Sequence, residues 1–462
     1  MRDVFRHVVF LPKYSPATEV QPRICPLALL MKSDQILCAF LIVLDLMYDS
    51  RYSQKSYISR TYEFEALNRS ILDRCARYCS GRRKMGARLK LRVLCTGDIH
   101  VGRRLSKVEE TYRTADAWKT IVDLAIGERV DLLALSGDVI DAASKSYEAL
   151  GPMLDGLASL SKAGIDTVAV TGNHDFDVLP RIADHAGSSR FHLLGRDGEW
   201  ERFTLRRDGS PVLHVDGWSF SSEHVTQPPL RTYPHWDNDG IPVMGLLHGD
   251  VGVPLSRYAP VGLDELWPLD IGLLVLGHIH KPQLFSGPAG RQALYVGSPW
   301  AMDPGEPGIH GVWVASIDDG SVSLEQIAIA PVRYESHDVD CAGVEDEDGF
   351  QRLLSETLMS IGQNAIVNSG QQYLSTVSLR LHFHGASNAH YALPGWVERA
   401  ASEIQHFPVD SVELHADVFE CDVRPRLDLD DLAQGADPVA DTARVILALQ
   451  GDALNGDYRE LV

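Results

Sequence analysis

Five short stretches end in side chains that can hold a cation or carry a proton: Asp98-x-His100, Gly137-Asp138, Gly172-Asn173-His174-Asp175, His248 and His278-x-His280. Singly, each has an ordinary explanation, because an Asp after a strand is usually a turn former or helix cap and a lone His is usually a satisfied polar residue. Jointly they form a donor set. Imidazole, carboxylate and amide oxygen suit borderline or hard divalent ions such as Mn²⁺, Fe²⁺ or Zn²⁺ rather than a thiolate site. The seven candidate ligands Asp98, His100, Asp138, Asn173, His248, His278 and His280 exceed the four positions of a tetrahedral zinc. Two ions sharing one carboxylate use them better. In LSGDVIDAAS (135–144) a second carboxylate, Asp141, follows Asp138 with no Lys or Arg in the stretch to neutralise either. Burying such groups is costly, so cations must compensate or the segment must be an exposed turn.

The elements that must position these residues are legible around them. LRVLCTGDIH, DLLALSGDVID, TVAVTGNHD, PVMGLLHGD and GLLVLGHIH are short apolar runs, each closing on a polar cluster. Runs of this length bounded by Gly read as strands buried on both faces. YRTADAWKTIVDLAIGE (112–128) carries apolar residues at helical spacing, so strands and helices alternate in an α/β layered domain. Polar groups just past the C-terminal strand ends then share one rim of the sheet.

A boundary is expected near residue 332, so that 85–332 form the first domain. The acidic turn EDED, the amphipathic FQRLLSETLMSI and the alternating strand VSLRLHF (377–383) suggest a smaller α/β domain over 333–425. In the tail, 426–462, Asp437 and Pro438 open a final helix as N-cap and first helical residue. Residues 1–84 differ, with 14 Lys and Arg against 8 Asp and Glu, a net +6 in a chain of net charge −20. Two readings of this basic extension stand. Either translation starts at or near Met85 and the extension is not native, or it is a genuine arm that touches nucleic acid. Tryptic peptides from 1–84 in native protein would exclude the first.

The chain, 462 residues long, accommodates two or three domains. Its acidity argues against a broad basic surface that holds nucleic acid by counterion release alone. It leaves room for a local positive groove or for metal ions that supply the charge. The seven cysteines form no disulfide framework or zinc ribbon, which fits reduced thiols in a cytoplasmic protein. The strongest apolar run, ILCAFLIVLDLM (36–47), is too short to span a bilayer and contains Asp45.

The order D-x-H, G-D-x-x-D, G-N-H-D, H and G-H-x-H over residues 97–280 resembles the calcineurin-like metallophosphoesterases. That resemblance implies a β-sandwich flanked by helices, in α/β/β/α layers, with a dinuclear metal centre at one rim. It implies that Asp98, His100, Asp138 and His280 hold one ion and that Asp138, Asn173, His248 and His278 hold the other. Such a pair clamps a phosphate and activates a water for in-line displacement. His174 then faces the phosphoester as proton donor, and Asp141 is the candidate to orient it. Asp175 reads instead as a structural hydrogen-bonding residue.

Within the superfamily, Ala142 and Asp175 stand where Ser/Thr protein phosphatases usually carry Arg and Glu. LGHIHKPQ and YVGSPWAMDPGEPGIHG (295–311) resemble the SbcD-type DNA repair exonucleases. The resemblance implies hydrolysis of DNA phosphodiesters with Mn²⁺ preferred and Fe²⁺, Zn²⁺ or Mg²⁺ as alternatives. It also implies a coiled-coil SbcC-like ATPase partner, room for a homodimer, and no membrane association. Two rival readings are a phosphodiesterase of small molecules or cyclic nucleotides, which the acidity favours, and a non-catalytic binding subunit, which the full ligand set disfavours. Arg103 and Arg104 are candidates to contact substrate phosphate. His382 and His384 have metal-like spacing, but their place on the polar side of a strand favours a surface role. The segment 221–240 reads as a substrate-side loop or an ordinary long connection.

Overall fold

The computed structural model describes residues 90–103, 112–141, 147–234, 236–318, 320–369 and 372–450. The basic extension and Arg104 lie outside them.

The apolar runs become strands, and each buries both faces because it lies between other strands and two packed layers. The first sheet contains β1 (Leu91–Thr96), β2 (Leu132–Leu135), β3 (Asp166–Ala169) and β4 (Phe191–Leu193) in parallel. The second contains β5 (Trp200–Arg207), β6 (Ser210–Trp218), β7 (Val243–His248), β8 (Leu273–Gly277), β9 (Gln283–Ser286) and β10 (Gln292–Tyr295). Its order is β5-β6-β7-β8-β10-β9, parallel from β6 to β10 and antiparallel at both edges. A hairpin, β11 (Gly311–Asp318) and β12 (Ser321–Ala328), returns to the first sheet, where β11 runs antiparallel to β1. Val93, Cys95 and Ala134 of the first sheet then meet Val215, Leu246 and Val275 of the second in the core of the sandwich.

Helices α1 (Thr114–Gly127), α2 (Tyr147–Lys162) and α3 (Leu179–His185) supply the connections between the parallel strands of the first sheet. Trp118, Ile121 and Ala125 of α1 recur at helical spacing and bury against the sheet. Trp118 lies over Gly156 of α2, where a Cβ would come within 2.3 Å of the indole, and its Nε1 donates to the Pro152 carbonyl. The outer face of the second sheet is covered differently. Leu230, Ala259, Val261 and Leu266 pack there from irregular chain and a short 3-10 turn, Pro229–Thr232. In the segment around Leu230, Pro228, Pro229 and Pro234 each lack an amide donor, which disfavours a long regular helix there.

The third sheet is built from β13 (Val332–Asp340), β14 (Thr376–Ser387), β15 (Phe407–Val409) and β16 (Val412–Pro425), ordered β13-β14-β16-β15. Helices α4 (Glu347–Ser369) and α5 (Leu393–Glu403) cover one face. The alternation of β14 holds, with Val377, Leu379, Leu381 and Phe383 buried under them. A short helix, α6 (Leu429–Leu432), precedes α7 (Pro438–Gln450), whose cap Asp437 accepts the Ala440 N–H at 2.9 Å. No helix among the described residues is long and apolar enough to cross a membrane.

Candidate metal centre

Strands β1, β2 and β3 of one sheet and β7 and β8 of the other end at the same rim. Asp98, His100, Asp138 and Asn173 therefore come from the first sheet, and His248, His278 and His280 from the second. The turns beyond the strands are unusual. Asp98, His100 and Asp138 have φ near +48° and His278 has +98°, a left-handed backbone that non-glycine residues rarely adopt. Such conformations cost of order 1–3 kcal/mol each and persist where surrounding bonds enforce them. Here Asp98 N–H donates to the Gly137 carbonyl, His100 N–H to that of Asp138, and both Asp98 carboxylate oxygens accept the His278 N–H at 3.0 and 3.1 Å. Gly172 makes the close approach possible, since a Cβ there would stand 2.2 Å from Asp138 Oδ1.

The donor atoms converge. Asp138 Oδ2 lies 3.4 Å from His248 Nε2 and 3.9 Å from His100 Nε2, between the two ligand groups, while its Oδ1 accepts the His174 N–H at 2.8 Å. Asn173 Oδ1 is 3.2 Å from His248 Nε2. His248 Nδ1 faces the Ser136 carbonyl at 3.0 Å, which can only accept, so Nδ1 carries the proton. In the neutral ring the Nε2 lone pair then points at two oxygens. The same logic holds for His280: Nδ1 donates to Glu306 Oε1 at 2.6 Å, and Nε2 faces His100 Nε2 at 3.3 Å. Two imidazole nitrogens set 3.3 Å apart, one ring held from behind by a carboxylate, fit a cation between them, and oriented imidazoles of this kind are what metal sites use. Asp98, His100 and His280 form one group with ligand atoms within 4.8 Å of one another, and Asp138, His248 and His278 form another.

The electrostatics follow from the crowding. Burial would raise the Asp138 carboxyl, but the neighbouring imidazoles, His248 foremost, hold it well below the usual carboxylate range. Burial disfavours charge on His248, yet the Asp138 carboxylate outweighs it and lifts His248 to about 9. Without a cation, a proton on His248 is the charge that balances Asp138. Metal binding would displace that proton.

His174 sits at the mouth, its side chain 37% exposed and its ring edge-on to His100 with centroids 4.9 Å apart. Burial lowers its basicity first, against the pull of Asp138. Asp141 Oδ1 is 3.8 Å from His174 Nδ1, beyond hydrogen-bond distance, and 3.4 Å from His100 Nδ1. The carboxylate thus stands between two imidazoles. Asp175 is fully buried and accepts the N–H groups of Gly172, Val139 and Ile140, tying the β2 and β3 turns together. Burial and the charge of Asp138 push its carboxyl up to about 7. The Arg103 charge reaches His280, and its N–H donates to the His100 carbonyl. His382 and His384 are elsewhere, on the open side of the third sheet.

Two residues of the rim carry no signal in the five motifs. Asp250 Oδ1 lies 3.3 Å from His278 Nε2, and Glu306 holds His280 while also accepting the Met302 N–H at 2.8 Å. Asp250 closes the run PVMGLLHGD and Glu306 lies in the GEPG turn of 295–311, so both stood inside stretches singled out in the sequence without a role of their own.

Residues 91–282 match the family described as calcineurin-like phosphoesterase. The uncharacterized metallophosphoesterase YhaO of Bacillus subtilis is 24% identical over 253 residues, 52% of this chain and 59% of that protein. The DNA double-strand break repair protein Mre11 of Thermoplasma acidophilum is 24% identical over 280 residues, 57% of this chain and 71% of that protein. One component of the nuclease SbcCD of Bacillus subtilis is 23% identical over 250 residues, 47% of this chain and 64% of that protein.

Proposed function

Starting from a chain whose residues 91–282 form a calcineurin-like phosphoesterase domain, we propose that the protein hydrolyses DNA phosphodiester bonds as a metal-dependent nuclease. One observation carries the metal-dependent part of the reading: the Asp138 carboxylate lies between His100 and His248, where it could serve two cations at once. Asp98, His100, Asp138 and His280 would hold one ion, and Asp138, Asn173, His248 and His278 the other. The oxygen and imidazole donors suit Mn²⁺, Fe²⁺ or Zn²⁺, and Mn²⁺ is the ion we propose, on the resemblance to the SbcD-type nucleases. When bound, the ions would supply Lewis-acid charge to the phosphoryl oxygens and would lower the pKa of a water.

The remaining steps belong to the chain. Asp250 and Glu306 fix the tautomers of His278 and His280, leaving the opposite nitrogens free to ligate. His174, exposed beside the bridge, gives its proton to the leaving oxygen. Asp141 acts as a positioning residue for His174 and His100 together. Arg103 draws the substrate phosphate to the rim. The names of the Mre11 and SbcCD relatives support DNA as substrate, and a coiled-coil ATPase is the proposed partner.

Linear DNA should be cut with Mn²⁺, and His174→Ala should lower the rate about 10²–10⁴-fold while both ions stay bound. Rapid turnover of a cyclic nucleotide with no nucleotide released from DNA would replace this reading by the small-molecule one, which the net charge of −20 favours.

A further inference from the structure

Beside the rim, residues 249–261 form a loop whose foot is tightly held and whose tip is apolar. At the foot, Tyr295 Oη donates to the Gly249 carbonyl and accepts the Val251 N–H at 2.8 Å. Asp250 N–H donates to the Tyr258 carbonyl, Val261 N–H to that of Asp250, and Gly252 N–H to that of Val261. Gly249 runs so close to Ala259 that a Cβ would lie 2.5 Å from its carbonyl oxygen. At the tip, Ser256 N–H donates to the Val253 carbonyl at 3.0 Å, closing a turn with Pro254 and Leu255 at its centre. Leu255 is 96% exposed and Val253 50%.

Asp250 couples the tip to the chemistry. One carboxylate oxygen meets His278, and the other accepts the Ser256 hydroxyl at the base of the turn. The Tyr258 ring lies against His278 with centroids 4.8 Å apart. Leu255 is five positions beyond Asp250, so the tip stands no more than about 18 Å from it. A DNA strand advances about 3.4 Å per nucleotide, which brings bases near the scissile phosphate within that reach.

We infer that Leu255, with Pro254, is a wedge that enters the base stack at a duplex end and frees the strand bound for the metal centre. The inference rests on the nuclease reading. An anionic phosphate ester offers an apolar side chain nothing, whereas unstacked bases do, and Leu and Pro serve as wedges between base steps elsewhere. The rigid foot lets the turn push without folding back.

The test compares blunt duplex with single-stranded DNA of the same sequence, with bis(p-nitrophenyl) phosphate as a substrate that has no bases. Leu255→Ser should lower the duplex-to-single-strand rate ratio at least tenfold, and Leu255→Phe should keep it. A 2-aminopurine at the duplex end should brighten on binding wild-type protein and stay dark with Leu255→Ser. An unchanged ratio, or wild-type protein that cuts only single strands, overturns the wedge alone. Wild-type protein that hydrolyses bis(p-nitrophenyl) phosphate and neither form of DNA overturns the wedge together with the nuclease reading.

Discussion

Two His-x-His pairs in this chain have the same spacing and different fates. His382 and His384 lie within β14, so alternation puts both rings on one face, stacked 27° from parallel with centroids 5.8 Å apart. Register brings Asp338 and Glu420 beside His382, and Asp340 and Asp422 beside His384. His382 bonds Asp338 at 2.9 Å, yet both partners are open to water and no three ligand atoms of this patch converge. His278 and His280 follow the last residue of β8, and the turn at φ +98° sends them apart, one to each ligand group. Donor chemistry is shared by the two regions. Convergence is supplied by backbone that has left the strand, and by Asp250 and Glu306 behind the rings.

That contrast can be broken most severely at the bridge. Asp138→Ala should abolish hydrolysis and lower bound metal by both equivalents, read by elemental analysis of the purified protein. Loss of one equivalent alone would remove the bridging role. Next in size, Asp141→Ala should reduce turnover more than metal affinity; comparable loss of both would make the 3.4 Å approach to His100 its main contribution. Glu306→Gln keeps the shape and weakens the acceptor behind His280, so metal affinity or activity should fall about 10–100-fold. Isothermal titration with Mn²⁺ separates the two. At the far end, the double variant His382→Ala/His384→Ala should leave metal stoichiometry unchanged and shift stability by no more than about 0.5 kcal/mol, as an exposed site does.

The residues that converge at the rim were readable because each lies at or just past the end of an apolar run, and a strand end is a place sequence marks clearly. Asp175 was also readable, since a carboxylate after G-N-H in a tight turn has backbone amides around it. What lay hidden was set by tertiary contact. Glu306 meets His280 across 26 residues, and Asp250 reaches a histidine just past the end of the neighbouring strand. The partner expected for Asp141 was His174, but the left-handed turn at His100 swings a second imidazole closer. The segment 221–240 reads as a substrate-side loop or a long connection, and nothing in the sequence shows that irregular chain covers the second sheet.

The rim has a consequence for how the protein can be studied. Its donors come from both halves of the sandwich, four from one sheet and three from the other. An ion seated among them is a rivet through two plates. Loading should stabilise the fold by an amount set by affinity and concentration, about 2.7 kcal/mol at a hundredfold excess over Kd, and the melting temperature should rise with it. A melting curve can rank candidate ions before any substrate has been found.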